Sequence, residues 1–137
     1  MENNKILIQG RTEVKKSPIH GYGVFATEDI KEGDIIEECH FMSLPSQLYD
    51  SIKRWPILRY VFHYPIRVLG RFEELVWPFG NGCIYNSSPN PNAGWNTDEI
   101  NRLFVFYALK DIKKGEEIFT NYEIQIKYTK EQGLIWK

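Results

Sequence analysis

Cysteine is scarce in this 137-residue chain: only Cys39 and Cys83 occur. They form no C-x-x-C pair, and no histidine stands close enough to complete a ligand set. That spacing argues against a zinc site, and no metal is expected. Two buried free thiols are expected rather than a disulfide. Long hydrophobic runs are missing as well. No stretch approaches the ~20 apolar residues of a spanning helix, and the opening MENNKILIQG has no apolar core of signal-peptide length. The expectation is a soluble intracellular protein without a membrane partner, in which Asn86-Ser87-Ser88 matches a glycosylation sequon by chance. Charge of one sign is also lacking. Seventeen Lys and Arg stand against 18 Asp and Glu, a net charge of -1. This argues against bulk electrostatic binding, so no direct nucleic-acid partner is expected. There is no P-loop, no G-x-S-x-G elbow and no H-E-x-x-H. His20, His40 and His63 are scattered and read as structural. No internal repeat with a period of 20 to 50 residues stands out.

What the chain does have is aromatic residues, 15% of it, within 42% hydrophobic content. That favours strands and a pocket with flat walls, and the length fits one compact domain. Short strands separated by turns dominate. A brief apolar run spans Ile6 to Ile8. Strands are expected at Val24 to Ala26, near Ile35, and in RFEELVWP ending at Pro78. RLFVFYALKDI, from Arg102, is apolar on both alternating sets, which predicts a strand buried on both faces. IFTNY is the next strand. Residues 46–63 carry helical spacing at Leu48, Ile52 and Trp55, interrupted by Pro56, which predicts one or two short helices. DIKEGDII (29–36) and DIKKGEEI (111–118) read as the same hairpin device used twice, each turning on a glycine. Glu116 and Glu117 are expected on a solvated hairpin.

Three segments do not reduce to this pattern. The first is SPIHGYGVFA, with Gly21 and Gly23 flanking Tyr22 before a strand. The second is IYNSSPNPN, where every residue from Asn86 to Asn92 is a turn former. The third is DIKKGEEIFTNY, ending at Tyr122. In this order and at these distances, the three resemble the SET-domain protein-lysine methyltransferases. The resemblance covers residues 12–123. The first and third segments match closely in word and context. The middle one departs from the family's Asn-His-Ser-Cys-x-Pro-Asn. Asn86, Ser88, Pro91 and Asn92 hold, while Ser87 replaces the histidine and Pro89 the cysteine. The zinc-binding cysteine clusters that flank the domain in histone-directed members have no counterpart, so the chain resembles a minimal member.

The resemblance implies a mainly β fold of the β-clip type. Several small curved sheets would surround a threaded, pseudo-knotted C-terminal segment in a single domain over 1–137. The variable insert would span about 42–79 and a closing tail 123–137. It implies transfer of a methyl group from S-adenosylmethionine to the ε-amine of a lysine in a protein, a histone being one such substrate. Free lysine has a pKa near 10.4; a desolvated aromatic channel and a nearby sulfonium would both disfavour its charged form. Carried over by position, Tyr122 is the catalytic tyrosine, orienting the amine. Gly21, Tyr22 and Gly23 form the cofactor-contacting turn, with glycine needed where a Cβ would block close approach. Asn86 holds the methionine end of the cofactor, and Ser87 contacts the adenine through its main chain. Trp136, with Tyr128, is a candidate aromatic lid, the alternative being packing on the core edge. The protein would reside in the cytoplasm or the nucleus of a host cell, as a monomer or a homodimer. Two other readings compete. One is a SET-like module that binds a protein tail with little or no catalysis, which Ser87 favours. The other is an unrelated small all-β interaction domain.

Overall fold

The computed structural model describes residues 5–44, 62–64, 74–82 and 84–121. Within them all regular structure is β, in ten strands that form three small sheets. The first sheet has the order β1 (Thr12–Lys16), β2 (Tyr22–Ala26), β10 (Glu117–Thr120), β7 (Asn86–Ser87). The second is β3 (Ile35–Cys39), β9 (Leu103–Ala108), β8 (Ala93–Asp98), and the third is β4 (Phe41–Leu44), β6 (Glu74–Pro78), β5 (Phe62–Tyr64). All pairings are antiparallel except that of β7 with β10. The expected β-clip of small sheets is therefore present. The third sheet lies almost wholly in the stretch read as the variable insert. Pro78 ends β6 where that strand is paired with β4 alone, so no ladder hydrogen bond is missing on the β5 side.

The helices expected over 46–63 fall mostly on 45–61, outside the described residues. The last two residues of that window, Phe62 and His63, are extended and belong to β5. The central strand is shorter than its apolar run. It stops at Ala108, and Leu109 beyond it is exposed. Leu103, Phe104, Phe106 and Ala108 are buried, whereas Val105 and Tyr107 are half-buried. One face of β9 is thus core and the other only partly covered. Ile6 and Ile8 are exposed and Leu7 is half-buried, so the first apolar run lies outside the core cluster. Ile8 instead exchanges main-chain contacts with β3: its carbonyl accepts from Glu38 N at 2.8 Å and its N–H donates to Glu38 Oε1 at 2.9 Å. Cys39 is a buried free thiol, and Cys83 lies outside the described residues.

Aromatic edges join the sheets. Phe62 meets Phe104 at a centroid distance of 5.1 Å and Trp95 at 5.5 Å, both edge-on, and Phe41 meets Phe104 at 6.0 Å. Around them Val24, Ile36, Val76, Phe106 and Ile118 are fully buried and make one core.

The two look-alike turns meet face to face. Ile30 and Ile112 exchange main-chain hydrogen bonds, both at 2.7 Å. Asp29 Oδ1 accepts from Lys114 N, and Asp111 Oδ1 accepts from Glu32 N, both at 2.9 Å. The N–H of Gly33 donates to Ala108 O and that of Gly115 to Ala26 O, both at 2.8 Å. Each turn therefore caps the other with the same residues, and both glycines have φ near the left-handed value, +86° and +90°. This junction sets the start of β10, the strand that carries the site.

Candidate functional site

β10 runs between the two motif segments, antiparallel to β2 on one side and parallel to the two-residue β7 on the other. Phe119 stands opposite Asn86 and Thr120 opposite Ser87. The turn-forming run NSSPNPN is thus a loop closed onto this strand. Ser88 N donates to Thr120 O at 2.8 Å, and Ser88 Oγ accepts from Asn90 N at 3.1 Å inside the turn. Asn92 closes the far end like a clamp. Its Oδ1 accepts from Phe119 N at 2.8 Å and its Nδ2 donates to Glu117 O at 2.9 Å. A side-chain amide here replaces a neighbouring strand, satisfying main-chain groups that would otherwise lack partners.

The first motif reaches the same place. Ser17 N donates to Gly21 O at 2.7 Å, closing a tight turn, and Gly21 has φ +49° with open space where a Cβ would be. Glycine is needed at 21 for its backbone angle. Gly23 is different. A Cβ there would lie 2.3 Å from Glu117 Oε2 and 3.1 Å from Asn86 Nδ2. A side chain at 23 would have to displace the Glu117 carboxylate, so the close approach here is by two side chains of this protein.

Those side chains form a network. Asn86 Nδ2 donates to His20 O at 2.9 Å and to Glu117 Oε2 at 2.8 Å. Glu117 Oε1 accepts from Ser17 Oγ at 2.7 Å. Ser17 Oγ in turn accepts from Ile19 N at 3.0 Å and His20 N at 3.3 Å. The three sequence segments singled out above thus meet at one carboxylate. Glu117 is half-buried, which corrects its assignment to a solvated hairpin. Glu116 fits that reading: it is exposed and accepts from Lys113 N at 2.9 Å. Strand alternation was the available signal. In Glu117-Ile118-Phe119-Thr120 the two fully buried residues are the second and fourth, so Glu117 shares the opposite face with Phe119. The motif match included Asn92 without giving it a role.

The other predicted positions divide. Tyr22 is exposed, and Ser87 is exposed beside the half-buried Asn86. Tyr122, Tyr128 and Trp136 lie outside the described residues. Directly under the site, Tyr85 is buried, stacks on Phe106 at 4.5 Å and donates its hydroxyl to Glu37 Oε1. Burial pushes the Glu37 carboxyl above its ordinary pKa; the hydrogen bonds from Tyr85, the Asn81 main chain and Cys39 oppose this and do not cancel it. Thr120 is fully buried, and its Oγ1 has no hydrogen-bond partner among the described residues. Also among the described residues, no three His, Cys, Asp or Glu side chains stand together as a metal ligand set.

The family model described as SET domain matches residues 21–123. A Schizosaccharomyces pombe histone-lysine N-methyltransferase, H3 lysine-37 specific, is 26% identical over 119 residues, covering 85% of this chain and 76% of that protein. A Candida albicans histone-lysine N-methyltransferase, H3 lysine-36 specific, is 28% identical, covering 83% of this chain but only 14% of its relative. Among solved structures, a Plasmodium falciparum protein described as a candidate histone methyltransferase superposes with a TM-score of 0.67 at 30% identity, covering 84% of this chain and 95% of that one. The Neurospora SET-domain protein DIM-5, a histone lysine methyltransferase, gives 0.63 at 22% identity over 81% of this chain and 51% of its own, a likeness of fold.

Proposed function

This chain belongs to the SET-domain family of protein-lysine methyltransferases, and we propose that it transfers a methyl group from S-adenosylmethionine to the ε-amine of a lysine in a protein substrate. The observation that carries the reading is the state of Asn86. Both N–H bonds of its carboxamide are taken by the protein, while no described residue donates to its Oδ1. An acceptor is left beside a glycine turn and an exposed tyrosine, which suits the ammonium of the cofactor's amino-acid end.

S-adenosylmethionine, when bound, supplies the methyl group. The chain's own residues do the rest. The turn at Gly21–Gly23 and the loop from Asn86 form the binding surface, with Ser87 offering main chain to the adenine. Tyr122 orients the lysine amine, and Trp136 closes over the site. In the sequence Tyr122 comes two residues after β10, the strand that Asn92 and Ser88 hold in register. The surrounding aromatic residues keep the lysine neutral by excluding water. The whole chain acts as one domain, with the insert at 42–79 shaping the substrate groove and the tail at 123–137 closing it.

Histone H3 is the first substrate to try, because the relatives are histone-lysine methyltransferases. No helix among the described residues is long and apolar enough to cross a membrane, and we place the protein in a soluble intracellular compartment. The exposed Ser87, where the family has histidine, favours a second reading, a tail-binding module with weak catalysis. Calorimetry tests the first requirement of both. S-adenosylmethionine should bind the wild type, and Asn86→Ala should weaken it by roughly tenfold or more, the value of a hydrogen bond to a charged group. An unchanged dissociation constant in the variant removes Asn86 from the site.

A further inference from the structure

The Asn86 carboxamide cannot turn over. Reversed, its Oδ1 would face the His20 carbonyl at 2.9 Å and the Glu117 carboxylate at 2.8 Å, two acceptors with no proton to offer. Of these two partners, only Glu117 is a side chain, and it is itself held by two hydrogen bonds. Ser17 Oγ donates to Oε1 at 2.7 Å, Asn86 to Oε2, and the missing Cβ of Gly23 makes room for Oε2. Among the described residues no Lys or Arg forms an ion pair with it. Among the described residues its hydrogen bonds come from neutral donors alone, which leaves a negative potential next to Asn86 Oδ1.

We propose that Glu117 is a positioning residue: it fixes Asn86 Oδ1 as an acceptor for the ammonium of the bound cofactor's amino-acid end, and Ser17 holds Glu117 in place. The proposal deepens the reading above and rests on it. A carboxylate that received no help from cations would repel an anionic ligand group and attract a cationic one. The network thus selects the ammonium rather than the carboxylate of an α-amino acid for this position. It also gives Gly23 and Ser17 a common purpose, since both shape the berth of one carboxylate.

The test uses the full chain, calorimetry, and two ligands: S-adenosylmethionine, and 5′-methylthioadenosine, which keeps the nucleoside and thioether but lacks the amino-acid end. Glu117→Ala should weaken S-adenosylmethionine by roughly tenfold or more while changing 5′-methylthioadenosine by about twofold or less. Glu117→Gln keeps an Oε1 acceptor for Asn86 but loses the charge, and its Nε2 would face a Ser17 Oγ that already accepts from Ile19 N and His20 N, so it should recover only part of the loss. The double variant Asn86→Ala/Glu117→Ala should lose clearly less than the sum of the two single losses, because Glu117 acts mainly through the Asn86 amide. Equal weakening of both ligands by Glu117→Ala, or additive losses in the double variant, overturns the proposal and leaves the methyltransferase reading standing. Absence of S-adenosylmethionine binding by the wild type overturns the reading itself. If Glu117→Ala does not fold, Ser17→Ala decides: it should give the same split between ligands at smaller size, and equal loss on both contradicts the proposal. If the wild type binds 5′-methylthioadenosine too weakly to measure, the double variant decides.

Discussion

Glu37 and Thr120 show how polar side chains beneath a site record different histories of burial. The Glu37 carboxyl is buried with its pKa raised by desolvation, despite the Tyr85 hydroxyl donated to it. The folded state therefore holds its proton more tightly than the unfolded chain does. Below the ordinary carboxylate range both states are protonated and the contribution is fully present. As pH rises through the folded value, the unfolded chain ionises first and stability is lost. Glu37→Gln cannot ionise, so the variant should gain on the wild type between about pH 4 and about pH 7. Urea unfolding at both values checks this, and a constant difference between the two proteins contradicts it. Thr120 presents the opposite case, a neutral hydroxyl without a partner among the described residues. Among those residues nothing offsets its desolvation, so Thr120→Val should raise stability by about 1 kcal/mol. A lower melting temperature in the variant would show that the hydroxyl is satisfied after all.

At the scale of elements, the face-to-face turns matter more than either strand they join. Asp29 and Asp111 each cap the other turn through a main-chain N–H. Replacing either by Ala should cost about 1 kcal/mol, the usual loss for a side-chain cap on main chain, and leave S-adenosylmethionine affinity intact because neither touches the Asn86 network. A variant that lost affinity without losing stability would place the junction inside the site. Strands and turns of this kind were legible in the sequence because period-2 alternation and glycine spacing are local. That the two DIK-x-G segments meet was not legible, since contact between residues so distant in sequence leaves no local mark. The same limit hid Glu117. Its neighbours Lys114, Gly115 and Glu116 read as solvent, and only the pairing of β10 with β2 and β7 turns its side chain toward Asn86. Gly23 was expected to make room for a close approach of the cofactor; what the structure places there is the Glu117 side chain, which comes from another strand and leaves no local mark in the sequence. Residues Phe62 and His63 were misread as helical because an apolar run of that length fits either period.

At the scale of the molecule, the three small sheets of the described residues leave β10 as the seam where the motif segments converge. The family relation fixes the chemistry to look for, and the proposed place for a cationic ligand end is the Asn86 amide. The most direct measurement is mass spectrometry of lysines after incubation of the protein with S-adenosylmethionine, a histone panel and a host-cell lysate. The account predicts single-methyl mass increments on lysine, dependent on S-adenosylmethionine, and abolished or nearly so in Tyr122→Phe while that variant still binds the cofactor. Cofactor binding by the wild type with no lysine methylated in any of these samples would contradict it.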